Sequence, residues 1–111
     1  MIESISFGKL LFKGKVSRAD TIVFKGHMDT KWWIKSRNCI EMADLETVLA
    51  ASPESIIVGT GFMNYIKISD NALEELKKLG IEVIVQKSTE AAETFNEKIK
   101  KSNTVGLFHL I

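Results

Sequence analysis

Covalent catalysis needs a nucleophile within reach of a base that a third group orients. The parts are scarce in this chain: one cysteine, Cys39, and two histidines, His27 and His109. His27 falls in a polar turn and His109 near the end of a closing strand, and no spacing brings either to Cys39. Cys39 therefore reads as a small apolar filler. A single cysteine excludes an intrachain disulfide, fits a reducing compartment, and falls far short of a zinc site. No metal site is predicted. Gly59-Thr60-Gly61 supplies the first two glycines of a dinucleotide fingerprint, but Asn64 stands where the third belongs and Tyr65–Ile68 continues as extended chain. No cofactor is predicted.

Two constellations could still bind something. In an open parallel sheet a ligand sits at the carboxyl ends of the strands. Those ends are Gly59, Thr60 and Gly61 in one segment and Lys87, Ser88 and Thr89 in another. The second segment leads into a helix, whose free amides and dipole attract anions. One reading is a pocket for a small anionic or phosphorylated ligand. The other is that Ser88 or Thr89 caps the helix and the glycines only permit the turn. The second constellation is Trp32 and Trp33 beside Lys35 and Arg37. Neighbouring strand residues point to opposite faces, so one Trp is core and the other faces outward, a candidate surface for a protein partner. Stacking of single-stranded nucleic acid on this mixture is disfavoured, because no RNA-binding motif accompanies it. Asp20, two residues after Arg18, reads as a turn cap or a surface ion pair.

The elements that must position these residues follow from hydrophobic period. Residues 4–12 read as a strand broken near Gly8, and Lys13-Gly14-Lys15 as a turn. Thr21–Phe24 is β-branched and aromatic, and Lys31–Lys35 reads as a further strand. Short gaps join these segments, so they form an antiparallel meander. From Met42 the apolar spacing becomes helical, through Met42, Leu45, Val48 and Leu49, until Pro53 stops it. Ser55–Val58 is an apolar run without a polar face, as expected of a strand covered on both sides. A short strand at Ile66–Ile68, a helix from Asp70 to Leu79 capped by Ser69 and Gly80, and a buried strand at Ile81–Val85 follow. A helix to Lys101 with Ala91, Ala92, Phe95 and Ile99 inward precedes a closing strand, Thr104–Leu110. Strands that alternate with helices imply a parallel sheet. The expectation is a three-layer α/β single domain: an N-terminal antiparallel β meander, then β-α-β-α-β around a short, mixed, largely parallel sheet.

At 111 residues with 45% hydrophobic and 26% charged side chains, the chain can bury one core without disulfides. Residues 1–40 hold eight Lys/Arg against three acids, net +5, and residues 41–111 hold seven against eleven, net −4. The basic half reads as lysines guarding sheet edges or as a face for an anionic partner. No run reaches a membrane span, and Glu3 with no basic flank argues against a signal peptide. The expected location is the cytoplasm.

The order of motifs carries a resemblance. A Phe-Gly near the start, an Asp before a hydrophobic strand, and Trp-Trp come first. Glu54–Gly61 and Leu79-Gly80-Ile81-Glu82-Val83 follow, then Thr89–Asn96 and Leu107-Phe108-His109-Leu110. Over nearly its whole length the chain resembles the small α/β domain family, largely of unknown function, first seen in a methanogen. That family includes a mitochondrial complex I assembly factor and an adipogenesis-associated protein. The resemblance implies a three-layer fold with extra β-structure, and through the assembly factor it implies protein–protein interaction. It implies no catalytic residues. The expected function is a non-enzymatic interaction or assembly domain, with small-anion binding or catalysis at the strand-end crevice as the alternative.

Overall fold

The computed structural model describes every residue except Lys31, Trp33, Ser36 and Arg37. Its centre is a five-stranded sheet ordered β5-β4-β10-β7-β9. Strands β7 (Ser55–Gly59), β9 (Glu82–Gln86) and β10 (Thr104–Phe108) run parallel, while β4 (Thr21–Val23) and β5 (Met28–Asp29) extend the sheet antiparallel beyond β10. The meander thus splits. Its later part joins the main sheet, and β1 (Ile2–Ser6), β2 (Lys9–Phe12) and β3 (Lys15–Ser17) form a separate antiparallel sheet.

The strand expected over residues 4–12 is instead a hairpin, because Gly8 takes φ +76° and lets Phe7-Gly8 reverse the chain. The Lys13-Gly14 turn forms as expected, with φ +50° and +76°. The strand expected over 31–35 falls partly on residues outside the described set. Of the described ones, neither Trp32 nor Ile34 lies in a strand. A 3-10 turn (Met42–Leu45) and the short α1 (Glu46–Ala50) occupy the first helical segment. A two-residue strand β6 (Cys39–Ile40) pairs in parallel with β8 (Lys67–Ile68).

Helix α2 (Asp70–Lys78) starts where Ser69 Oγ accepts the Ala72 amide at 3.0 Å, and ends before Gly80 at φ +77°. Helix α3 (Ser88–Lys98) links β9 to β10 and passes β7 on the way. Both sheet faces are covered. Ile22, Ile56, Val58, Val105 and Leu107 face α1 and α2. Alternate residues Val23, Ile57 and Phe108 face α3 and the β1–β3 hairpins. The central strands β7 and β10 are buried throughout, which accounts for their unbroken apolar runs. Strand β9, expected to be buried, is a half-exposed edge: no strand among the described residues pairs beyond it, and Val85 is exposed.

Candidate functional site at the carboxyl end of the sheet

The three parallel strands end level with one another. Phe108 is in register with Gly59, and Gly59 with Gln86. The segments leaving those ends, 60–62, 87–89 and 109–111, therefore meet at one edge of the molecule.

Ser88 binds them together. Its fully buried hydroxyl accepts the Gly61 amide at 2.9 Å and donates to the His109 carbonyl at 2.6 Å. Its own amide donates to Gly61 O at 3.0 Å. Ser88 is thus a clamp inside the first turn of α3, and the N-cap residue is Lys87, whose side chain makes no capping bond. The buried Thr60 hydroxyl lies 2.6 Å from Asn64 Oδ1 and 3.1 Å from the Gln86 carbonyl, and the Thr60 amide donates to that same carbonyl at 2.8 Å. The glycines fill tight places. A Cβ on Gly59 would lie 2.8 Å from Ser88 Oγ, and one on Gly61 would lie 2.7 Å from His109 Cδ2. Gly61 also takes φ +100°. Of the six residues expected to line an anion pocket, four are spent on internal packing and hydrogen bonds, and Lys87 and Thr89 face solvent.

The same edge brings in residues that sequence analysis did not join. Thr21 on β4 pairs with Phe108, so the preceding Asp20 arrives opposite the following His109. Asp20 Oδ2 lies 2.7 Å from His109 Nδ1, and Asp20 Oδ1 accepts the Leu110 amide at 3.2 Å. Asp20 thus holds the end of β10 rather than pairing with Arg18. An ionised carboxylate only accepts hydrogen bonds, so the shared proton belongs to Nδ1. The Tyr65 ring stacks on the imidazole, with centroids 5.8 Å apart and planes 27° from parallel.

Around this pair lies an apolar rim. Phe7 sits at the tip of the β1–β2 hairpin, where the next amide, Gly8, donates to Leu110 O at 2.6 Å. The Phe7 ring meets Phe62 edge-on at 5.8 Å, and the Phe62 amide donates to Ile111 O at 3.0 Å. Phe7, Met63, Tyr65 and Ile111 are 65%, 83%, 49% and 59% exposed, so a hairpin tip, a loop and the last residue present apolar surface together. Phe62 and Met63 between Gly61 and Asn64, with Tyr65 directly after, were readable signals: clustered aromatic and Met side chains at a turn point to an exposed apolar patch.

The other expected interface is less open. Trp32 is half-buried against the α1–α2 core, and its indole N–H reaches the Asp44 carbonyl at 3.4 Å. Lys35 is exposed, and its backbone amide donates to Asp44 Oδ1 at 3.0 Å. Trp33 and Arg37 lie outside the described residues. Cys39 is half-buried in β6, and exposed His27 stacks on Phe24 at 4.6 Å. No group of three His, Cys, Asp or Glu residues able to hold a metal occurs among the described residues. No helix among them is long and apolar enough to cross a membrane. At the opposite end of β9, a hydrogen bond from Lys98 is the main cause holding the Glu82 carboxyl below the usual carboxylate range. Desolvation opposes that shift, and the Lys98 charge and the Ser55 hydroxyl add smaller lowering contributions.

Residues 2–110 match the family described as protein of unknown function (DUF498/DUF598). The chain belongs to that family. Solved structures carry the same fold. A conserved hypothetical protein from Pyrococcus horikoshii superposes with a TM-score of 0.88 at 19% identity, covering 99% of this chain and 98% of that one. A Bordetella parapertussis protein gives 0.83 at 18% identity, covering 100% and 95%. A Bartonella henselae protein described as an outer membrane protein gives 0.79 at 18% identity, covering 98% and 92%. At these identities the likeness speaks for the fold alone. No activity is indicated for the family, so function must be argued from the surface of this chain.

Proposed function

We propose that this protein is a non-enzymatic interaction domain of assembly type, which docks a protein partner on the apolar rim formed by Phe7, Phe62, Met63, Tyr65 and Ile111. One observation carries the reading: four large apolar side chains, each about half exposed or more, gather at one edge. Aromatic and Met side chains are enriched at protein interfaces and depleted elsewhere on surfaces. The Gly8 and Phe62 amides donate to the carbonyls of Leu110 and Ile111 and tie the hairpin tip and the loop to the end of the chain, which lowers the ordering entropy that opposes binding. The resemblance to a family that includes a respiratory complex assembly factor points the same way, and a cytoplasmic location is part of the reading. The basic Trp32–Lys35 face is secondary, because Trp32 is committed to the core.

The alternative, a small anionic ligand at Gly59, Thr60, Gly61, Lys87, Ser88 and Thr89, has weaker support. Its two buried hydroxyls are already paired, and Glu90 places an acid in the first turn of α3. The test compares proteins recovered from native extract by the wild type, by Phe7→Ser/Met63→Ser, and by Lys87→Ala. Loss of a reproducible partner with the rim variant alone supports the proposal. An unchanged partner set contradicts it. A thermal shift with phosphorylated metabolites that Lys87→Ala abolishes would favour the anion site instead.

A further inference from the structure

Strand β9 keeps an unbroken five-residue register against β7 and ends the sheet. Glu82 N donates to Glu54 O at 3.1 Å, and Gln86 O accepts Thr60 N at 2.8 Å. Successive strand residues turn their backbone groups to opposite sides. Glu82, Ile84 and Gln86 therefore bond toward β7, and the N–H and C=O groups of Val83 and Val85 point outward. No strand among the described residues pairs with them. Proteins usually blunt such an edge with a charge, a proline, a bulge or a very short strand. The opposite edge, β5, is two residues long. Strand β9 has no proline, no lysine and no bulge. Its two polar side chains are tied to the fold: Glu82 accepts from Lys98 and Ser55, and Gln86 accepts from Thr94 Oγ1 at 2.6 Å.

Glu82-Val83-Ile84-Val85-Gln86 reads almost the same in both directions, since Gln is the uncharged isostere of Glu. We propose that the partner of this edge is a second copy of the chain, whose own β9 pairs antiparallel across a two-fold axis at Ile84 and joins the two sheets into one. In that register all four outward groups are satisfied: Val83 exchanges both hydrogen bonds with Val85 of the second copy, and Val85 with its Val83. Neighbouring two-fold registers fail. Centring on Val83 sets Val85 against Ile81, whose amide already donates to Leu76 O, and centring on Val85 sets Val83 against Lys87, whose carbonyl already accepts Ala91 N. The side chains agree with the backbone. Val meets Val and Ile meets Ile, and β-branched cross-strand pairs are favourable. Each Glu82 lies opposite an amide, Gln86, rather than another acid. Lys98 and Thr94 tie β9 to α3, so the two α3 helices run antiparallel on one face of the joined sheet. The acidic start of each, at Glu90 and Glu93, then lies toward the basic end of the other, at Lys98 and Lys101. The pairing also covers Val85, which is 42% exposed in one copy. This interface uses no residue of the rim.

Sedimentation equilibrium of the full chain, from micromolar to millimolar concentration, gives the assembly state, and hydrogen exchange by NMR locates the interface. The expected species has twice the 12.4 kDa chain mass. In it the Val83 and Val85 amides exchange slowly, and they speed up on dilution as the dimer dissociates. Val85→Pro removes an outward N–H without touching the β7 ladder, a position where edge strands tolerate proline. It deletes two of the four intersubunit bonds and should weaken dimerisation by about tenfold to a hundredfold. Phe7→Ser/Met63→Ser should dimerise as the wild type does. A wild-type chain that stays monomeric at millimolar concentration would overturn the proposal. So would a dimer whose Val83 and Val85 amides exchange freely, or one that Val85→Pro leaves unchanged. Should Val85→Pro fail to fold, amide exchange in the wild type decides. A dimer lost only in the rim variant would place the two-fold contact at the rim and contradict pairing through β9.

Discussion

Ser88→Ala removes a single oxygen and tests the account of how the sheet edge is held. The hydroxyl is fully buried and serves as acceptor for one backbone amide and donor to one backbone carbonyl. Alanine fits the same space, so no clash confuses the result. It leaves Gly61 N and His109 O without this partner, and a buried polar group left unpaired costs about 1–3 kcal/mol. Gly59 packs against the lost oxygen, which leaves little room for a replacement water. The expected destabilisation is about 2–4 kcal/mol. At roughly 4 °C per kcal/mol for a domain of this size, the melting temperature falls by about 8–16 °C. Urea unfolding and calorimetry give the two numbers, with a lower midpoint and an unchanged slope. Thr89→Ala, one residue along and exposed, is the control and should stay within about 0.5 kcal/mol of wild type. A Ser88→Ala protein as stable as that control would refute the clamp and reopen Ser88 as a ligand donor.

Gly106→Ala should destabilise the fold by about 1–3 kcal/mol in chemical denaturation, since a Cβ there meets the Phe108 and Phe95 rings in a full core. Gly26→Ala, with open space around it, is the matched control. Asp20→Ala should free the end of β10, and faster hydrogen exchange of the Leu110 amide by NMR checks this. Glu82 has a lowered carboxyl pKa in the fold, so its contribution is present above the unfolded value and is lost as pH falls through the folded one. Between about pH 5 and pH 3 the melting temperature of Lys98→Met should therefore fall less steeply than that of the wild type, and 1 M salt should narrow the difference. Parallel slopes at low salt would show that the pair does not act in solution.

The parallel half of the fold was legible because its signals are local and redundant. Ser55–Val58 has no polar face, Ser69 caps, Gly80 terminates, and Ala91, Ala92 and Phe95 keep helical spacing. The meander was harder. Whether residues 4–12 form one bulged strand or a hairpin depends on the φ of Gly8, and composition near a glycine fits both. The exposure of β9 was hidden because strand order decides it: Val83 and Ile84 read the same at an edge as in the centre. The crevice was found in the right place with the wrong emphasis. Ser88 and Thr60 carry the hydroxyls a ligand would use, but their partners are backbone groups 26 and 27 residues distant in sequence, which no pattern reveals. The Asp20–His109 pair spans 89 residues and exists only because β4 lies antiparallel to β10. The rim was partly readable, since Phe62, Met63 and Tyr65 crowd a turn. Its completion by Phe7 and Ile111 required the fold.

The central claim is that the rim is the docking face, and a photo-crosslinking scan tests it most directly. Benzoylphenylalanine is placed singly at Phe7, Met63 and Ile111, and at the exposed apolar controls Val16 and Leu79. The proteins are irradiated in native cells and the adducts resolved by mass. The account predicts one discrete partner adduct from the three rim positions, competed by unlabelled wild-type protein, and none from the controls. An adduct confined to the control positions, or no adduct from any rim position, would contradict it.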